Sequence, residues 1–378
     1  MRQQQRVGII GVGYEGFRPV VSDLSTRELM FEAASRAYED ASIEPRRDVG
    51  SFVCCTEDLW EGWSISDEMM PDQIAAAGRP LCTIPADAVT GLGTASMHVL
   101  SGMADVAVLE AHSKVADVTD KNAVEALAQE PSLIRPLGMN ADSLAGLEMD
   151  AFLRASGVGM REVDRVIVDA KRKAMRNPRA SYSGSVSESE LAASEVLSKP
   201  LRRADKSAFA EAGIVLVLAS ESWVRKNGRD PVFLDGVAWC SSLPWFDGGD
   251  ASVAEYARKS FNDAAARAGT KRVAEDFDIL ELDDTYSYKL LQHLHSLAKS
   301  RAEERRVLSG DGPALNPSGG AIGVGNLLEA SALHRLLECV LQLRGEAGAI
   351  QVKGARRALV QSWRGVPTAT GGVAMLSR

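Results

Sequence analysis

The chain has 378 residues, 45% hydrophobic and 25% charged, with a formal net charge of -8 at pH 7. This is a globular composition too long for one small domain, and the lack of a basic block argues against nucleic acid or an anionic membrane surface as main partner. No apolar run approaches the roughly 18 to 20 residues of a membrane span, and Met1 to Arg6 leads into a strand without a signal-peptide core, so a cytoplasmic protein is expected.

In chain order, Val7 to Val12 reads as a buried strand. Ser25-Thr26-Arg27-Glu28 is a capping box, because Ser25 can accept from the amide of Glu28 while Glu28 reaches back. Leu29, Ala33, Ala37 and Ala41 line one face of the helix behind it. Ser51 to Cys55 is a second strand, residues 57 to 72 a covering loop, and Cys82-Thr83-Ile84 leads into a Gly/Ala-rich helix over 88 to 102. The strand Val106 to Leu109 precedes a polar, mostly helical insertion over 115 to 205, and Ile214 to Ala219 resumes the rhythm.

A second half runs from about Val232: a strand, a helix over 251 to 268, the strand Asp278 to Leu282, helices over 286 to 299 and 327 to 343, and the strands Ala358 to Gln361 and Gly372 to Leu376. The order predicts an α/β protein of two similar halves, 1–231 and 232–378, sharing one core.

The five cysteines, Cys54, Cys55, Cys82, Cys240 and Cys339, are odd in number and irregularly spaced, which argues against a disulfide framework. No Cys-x-x-Cys occurs, the five histidines form no zinc-ligand pattern with them, and no metal is expected in this chain. Gly11-x-Gly13-x-x-Gly16 follows a strand like a dinucleotide fingerprint, but Phe17 to Val21 intervenes where a helix should open; a tight strand-exit turn is the expected reading.

Asn316-Pro317-Ser318-Gly319-Gly320-Ala321-Ile322-Gly323-Val324-Gly325-Asn326, with the helix ending Leu341-Gln342-Leu343-Arg344-Gly345-Glu346-Ala347-Gly348 and the run Gln351 to Arg356, resembles the C-terminal active-site region of the thiolase superfamily. It is most similar to the archaeal-type and lipid-transfer-protein-type members, the subgroup that includes benzoylsuccinyl-CoA thiolase. Val7 to Ala41 and Cys82 to Lys114 resemble the family's first strand and helix and its nucleophile turn, so the resemblance spans the chain. It implies two βαβαβαββ halves in a five-layer αβαβα arrangement, usually a homodimer. The implied chemistry makes or breaks a carbon–carbon bond beside an acyl-CoA thioester, with coenzyme A as substrate rather than bound cofactor. It also implies a small zinc-ribbon/OB-fold partner of the DUF35 type, with zinc in that partner alone.

The family's covalent machinery is altered here. Its cysteine thiolate at a helix N-terminus falls at Pro85 by a gap-free count and at Thr90 by a shifted one, so Cys82 or Thr90 substitutes, or Cys82 is a buried strand cysteine. The histidine of the Gly-His-Pro motif is Asn326, which can donate to an oxyanion but cannot take a proton at neutral pH; it can also cap a helix.

The position of a second histidine is Asp283, beside Asp284 at a strand end: a base in a dry pocket, or a solvated side chain next to a cap. Tyr286 takes the aromatic position of that motif, and Tyr288 is a second tyrosine to be tested as an acid. The loop that often carries a second cysteine reads Gln361-Ser362-Trp363-Arg364-Gly365-Val366-Pro367-Thr368, with Ser362 nearest that cysteine and Trp363-Arg364 placed to meet a substrate carboxylate or ring, or Trp363 to pack in the core. His112, in Glu110-Ala111-His112-Ser113-Lys114, is read as structural.

The expected catalytic set is therefore Asp283, Asn326, Cys82 and Asn316, and the expected substrate-binding set Tyr286, Gly319, Gly320, Ser362 and Trp363. The activities implied are a thiolase-type acyltransferase, a retro-aldolase acting on a β-hydroxyacyl-CoA, or a non-catalytic acyl-CoA-binding scaffold.

Overall fold

The computed structural model describes residues 6–57, 66–118, 120–132, 134–242, 250–365 and 368–378. The first strand, β1 (Val7–Arg18), is longer than expected and takes in Gly11, Gly13 and Gly16. Helix α1 (Thr26–Ala41) lies so close across it that a Cβ on Gly11 would sit 2.6 Å from the Ala37 carbonyl oxygen, and one on Gly13 2.1 Å from that of Ala33. The glycine run thus serves close strand–helix packing, not an exit turn and not a phosphate loop. The capping box forms as expected: the Ser25 amide donates to Glu28 Oε2 at 2.8 Å and the Glu28 amide to Ser25 Oγ at 3.3 Å.

β2 (Ser51–Cys55), β3 (Leu81–Ile84), β4 (Val106–Ser113) and β7 (Glu211–Ser220) join β1 in one half-sheet; β5 (Val196–Ser198) and β6 (Leu201–Arg202) form a separate ribbon. The second half contributes β8 (Val232–Ser241), β9 (Ile279–Glu281), β10 (Ala314–Leu315), β11 (Arg357–Trp363) and β12 (Thr370–Ser377). Among the described residues the strands run β10-β9-β11-β12-β8-β1-β7-β4-β2-β3. Each half therefore has its third, second, fourth, fifth and first strand in that order, with the fifth antiparallel to both its neighbours. The halves meet where β1 pairs with β8, Val7 opposite Leu234.

Two helices lie between the halves: α2 (Ala88–Leu100) and α9 (Ala330–Arg344). Leu92, Ala95 and Val99 from the one, and Leu333, Leu336 and Val340 from the other, share a buried cluster with Leu109 and Leu216 of the first half and Val360 of the second. Helix α1 covers the outer face of the first half-sheet, and α6 (Glu255–Ala268) that of the second. The layers are thus αβαβα. The insertion between β4 and β7 holds α3 (Lys121–Leu127), α4 (Ala141–Ser156) and α5 (Met160–Ala174). Helix α7 (Ser287–Leu297) packs on α4, α5 and α6, tying the insertion to the second half. Among the described residues no helix is long and apolar enough to cross a membrane.

Candidate active site

Helix α2 begins neither at Pro85 nor at Thr90. Asp87 is its N-cap: Asp87 Oδ1 accepts from the Val89 amide at 2.9 Å, satisfying one of the free donors of the first turn. The same oxygen accepts from Ser362 Oγ at 2.8 Å, across the interface of the two halves. Asp87 is only 4% exposed, and its Oδ2 has no hydrogen-bond partner. Burial pushes the Asp87 carboxyl above its usual range, against the hydrogen bonds from Ser362 and the helix amides, with the Asp283 charge adding to the rise. Where the family pattern calls for a cysteine at a helix N-terminus, this chain presents a carboxylate.

Asp87 lines a cavity of about 340 Å3 together with Asn326, Tyr286, Trp363, Phe209 and Glu125. The carbonyl oxygen of the Asn326 side chain is committed locally, accepting from the Leu328 amide at 3.0 Å and Ser331 Oγ at 3.3 Å. Asn326 therefore closes a turn ahead of α9 rather than capping the helix itself, and the residue lines the cavity with its side-chain oxygen already bonded. Tyr286 precedes α7 and is 3% exposed; its ring centroid lies 6.2 Å from that of Trp363.

Trp363 ends β11, and its Nε1 donates to the Thr368 carbonyl at 2.9 Å, closing the loop through Gly365; Val366 and Pro367 lie outside the described residues. Behind the indole, Lys289 Nζ sits 4.1 Å from the ring centroid, held by Glu148 Oε1 at 2.5 Å and Gln292 Oε1 at 2.9 Å. Glu148 also accepts from Tyr288 Oη at 2.9 Å, so Tyr288 braces the insertion against α7 and does not line the cavity.

The other expected residues lie elsewhere. Asp283 is 1% exposed and 2.8 Å from Nη2 of buried Arg335, while its Oδ1 accepts from the Thr285 amide; it does not line the cavity. Asp284 caps not its own helix but α8 (Gly320–Val324), accepting from the amides of Ala321 at 2.6 Å and Ile322 at 3.4 Å. Burial pushes its carboxyl up to about 6. Asn316, at φ 40°, clasps the end of β9, accepting from the Leu282 amide at 2.7 Å and donating to the Leu282 carbonyl at 2.9 Å.

Gly319 and Gly320 both have positive φ, and added Cβ atoms would meet Ala174 at 2.7 Å and the Asp284 carboxylate at 2.1 Å, so these glycines seat α8 rather than line the cavity. Cys82 is half-buried on β3, away from the cavity, with its thiol pushed up by burial. Arg364, placed by sequence to meet a substrate, is ion-paired with Glu57. His112 is buried on Glu110, 2.9 Å away.

Asp87 is the residue that sequence reading missed. An Asp ahead of a helical run is a cap signal, but nothing in the sequence marks that cap as lining a cavity. Among the described residues no cluster of His, Cys, Asp and Glu is arranged to hold a metal.

Comparison with known proteins fits this geometry. A thiolase C-terminal domain-like family model matches residues 248–378. The acetyl-CoA acetyltransferase of Methanothermobacter thermautotrophicus is 27% identical over 388 residues, 97% of each chain. Bovine (Bos taurus) sterol carrier protein 2 is 24% identical, over 94% of this chain and 69% of that protein. The solved Ltp2-ChsH2(DUF35) aldolase superposes with a TM-score of 0.82 at 22% identity, covering 98% of this chain and 97% of that one. The strand order, the motif around Asn316 and these likenesses agree: the chain has the thiolase fold, its residues 248–378 match the thiolase C-terminal domain-like family, and along its length it is similar to the archaeal acetyl-CoA acetyltransferases and to sterol carrier protein 2.

Proposed function

We propose that the chain is an acyl-CoA enzyme that makes or cleaves the carbon–carbon bond next to a CoA thioester, and that it works by retro-aldol acid/base chemistry without an acyl-cysteine. The observation that carries this reading is the unpaired Oδ2 of Asp87, on a raised-pKa carboxyl at the N-terminus of α2, in the same cavity as the Asn326 side chain. No cysteine lines that cavity among the described residues, and buried Cys55 has its thiol pushed well up by desolvation. A thiolase-type transfer needs a thiolate; a retro-aldol step needs a base and a donor to the developing oxyanion.

In the cleavage direction, Asp87 takes the proton of the β-hydroxyl. The O–H electron pair becomes the new carbonyl π bond, the Cα–Cβ bond breaks, and its pair moves into the thioester as an enolate. The Asn326 NH2 donates to the enolate oxygen, and the proton held by Asp87 passes to Cα, leaving a carbonyl product and a shortened acyl-CoA. A second reading, thiolase-type acyl transfer, is favoured by the likeness to an acetyl-CoA acetyltransferase along nearly the whole chain; it requires a nucleophile, which no cysteine lining this cavity supplies among the described residues.

We further propose a homodimer that works with a small DUF35-type zinc-ribbon/OB-fold protein, any zinc residing in that partner. The likeness in fold to a DUF35-containing aldolase supports the DUF35-type partner. The test is to co-express the chain with a genomically adjacent DUF35-type protein and incubate the complex with 3-hydroxyacyl-CoAs. The carbonyl and acyl-CoA products are followed by mass spectrometry. Turnover that survives Cys82→Ala and collapses in Asp87→Asn is expected. Full turnover in Asp87→Asn would remove the proposed base.

A further inference from the structure

The electrostatics of the cavity bear on which acyl group it takes, an inference that rests on the acyl-CoA reading above. Asp87 and Glu125 both line it, and the cations nearest to hand are engaged: Lys206 Nζ pairs with Asp142 at 2.6 Å, and Arg364 with Glu57.

Asp87 and the partly compensated Glu125 share the space with the rings of Tyr286 and Trp363, and the two cations that line it, Lys206 and Arg364, are held by Asp142 and Glu57, so the interior offers apolar walls and hydrogen-bond acceptors. It offers no free cation among the described residues. At the low effective dielectric of a buried site, a like charge a few ångströms from Asp87 is strongly disfavoured, whereas a hydroxyl or methyl group is not. Glu125 feels this already: burial raises its carboxyl, and Lys206 offsets that only in part.

We propose that this cavity takes a neutral, partly apolar acyl group and rejects acyl thioesters that carry a second carboxylate. The selectivity arises from Asp87 and Glu125, with Lys206 and Arg364 held back by their own partners.

The test uses a size-matched pair, butyryl-CoA and succinyl-CoA, titrated calorimetrically into the full chain, alone and with its partner, at about 0.1 M and about 1 M salt. Their shared CoA portion cancels in the ratio of dissociation constants. Butyryl-CoA is expected to bind at least about ten-fold more tightly at low salt. Glu125→Gln should narrow the ratio, whereas added salt should change it little, because charges buried in the cavity are screened much less than exposed ones. Equal affinity for the pair, or tighter binding of succinyl-CoA, overturns the proposal while leaving the acyl-CoA reading in place. Binding of neither thioester overturns the acyl-CoA reading and this inference with it. The ratio measured on the unaltered chain decides the matter even where the variant fails to fold.

Discussion

Ser362 Oγ donates to Asp87 Oδ1 at 2.8 Å, joining the end of β11 to the start of α2 across 275 positions of sequence. Asp87 is the N-cap of α2, between the two positions, Pro85 and Thr90, at which the resemblance puts the family cysteine, and Ser362 is the residue nearest its second cysteine. The bond spends one carboxylate oxygen on Ser362 and the Val89 amide and leaves the other without a partner. It also pulls the Asp87 pKa down against the rise that burial imposes.

The first prediction concerns that bond. A base works deprotonated, so activity falls as pH drops through the folded pKa of Asp87, which burial sets above the usual carboxylate range. Ser362→Ala removes a group that lowers this pKa, so the acid limb of kcat/KM should move to higher pH with the plateau largely kept. Asp87→Asn should lose about 10²- to 10⁴-fold at the plateau. A pH–rate profile of the three proteins checks both.

Stability should run opposite to activity at Asp87. With its folded pKa raised, the group adds stability below its unfolded pKa and loses it as pH rises through the folded value. Asn is an equally good N-cap. At pH 7 Asp87→Asn should therefore melt at or above the wild-type temperature, the gap closing as pH falls toward 4. Calorimetric melting across that range is the measurement.

Asn326→Asp separates the two duties of that side chain. A carboxylate can still accept from the Leu328 amide and Ser331 Oγ, but it brings no N–H donor to an oxyanion. A loss of kcat of at least about 10²-fold is expected, with a melting temperature near wild type. A variant that melts early would instead assign Asn326 to the turn alone.

Asp283 is predicted to act in stability, not turnover. Its partner Arg335 is among the largest fully buried side chains, and breaking a buried pair typically costs about 3–5 kcal/mol. Arg335→Met should lower the urea midpoint by a corresponding amount, and adding Asp283→Asn should recover part of it. A double-mutant cycle in urea reads the coupling.

Glu281 gives a separate pH signature. Burial, with the Glu338 charge, pushes its carboxyl up to about 8, against hydrogen bonds from the Ser318 amide and hydroxyl. A raised folded pKa means stability that is present at low pH and lost as pH rises through about 8. The urea midpoint should therefore decline from pH 7 to 9 more steeply in wild type than in Glu281→Gln.

Much of the fold was legible along the chain because its signals are local. The capping box at Ser25 and Glu28, the strand–helix alternation and the polar insertion all rest on residues a few positions apart, and the structure returns them. The motif from Asn316 to Asn326 likewise named the superfamily, though it did not say what its residues do.

That was decided by tertiary structure, for a physical reason. Sheet order and register choose which distant side chains meet, and burial then sets what each can do. Register set Ser362 against Asp87, and the approach of α9 gave Asp283 to Arg335. Close packing against α5 and Asp284 explains Gly319 and Gly320, and packing against α1 explains Gly11 and Gly13. Sequence alone put Asn326 at the family's histidine position and left Cys82 and Thr90 as alternatives for its cysteine; only the folded chain showed a half-satisfied carboxylate, Asp87, at the start of α2.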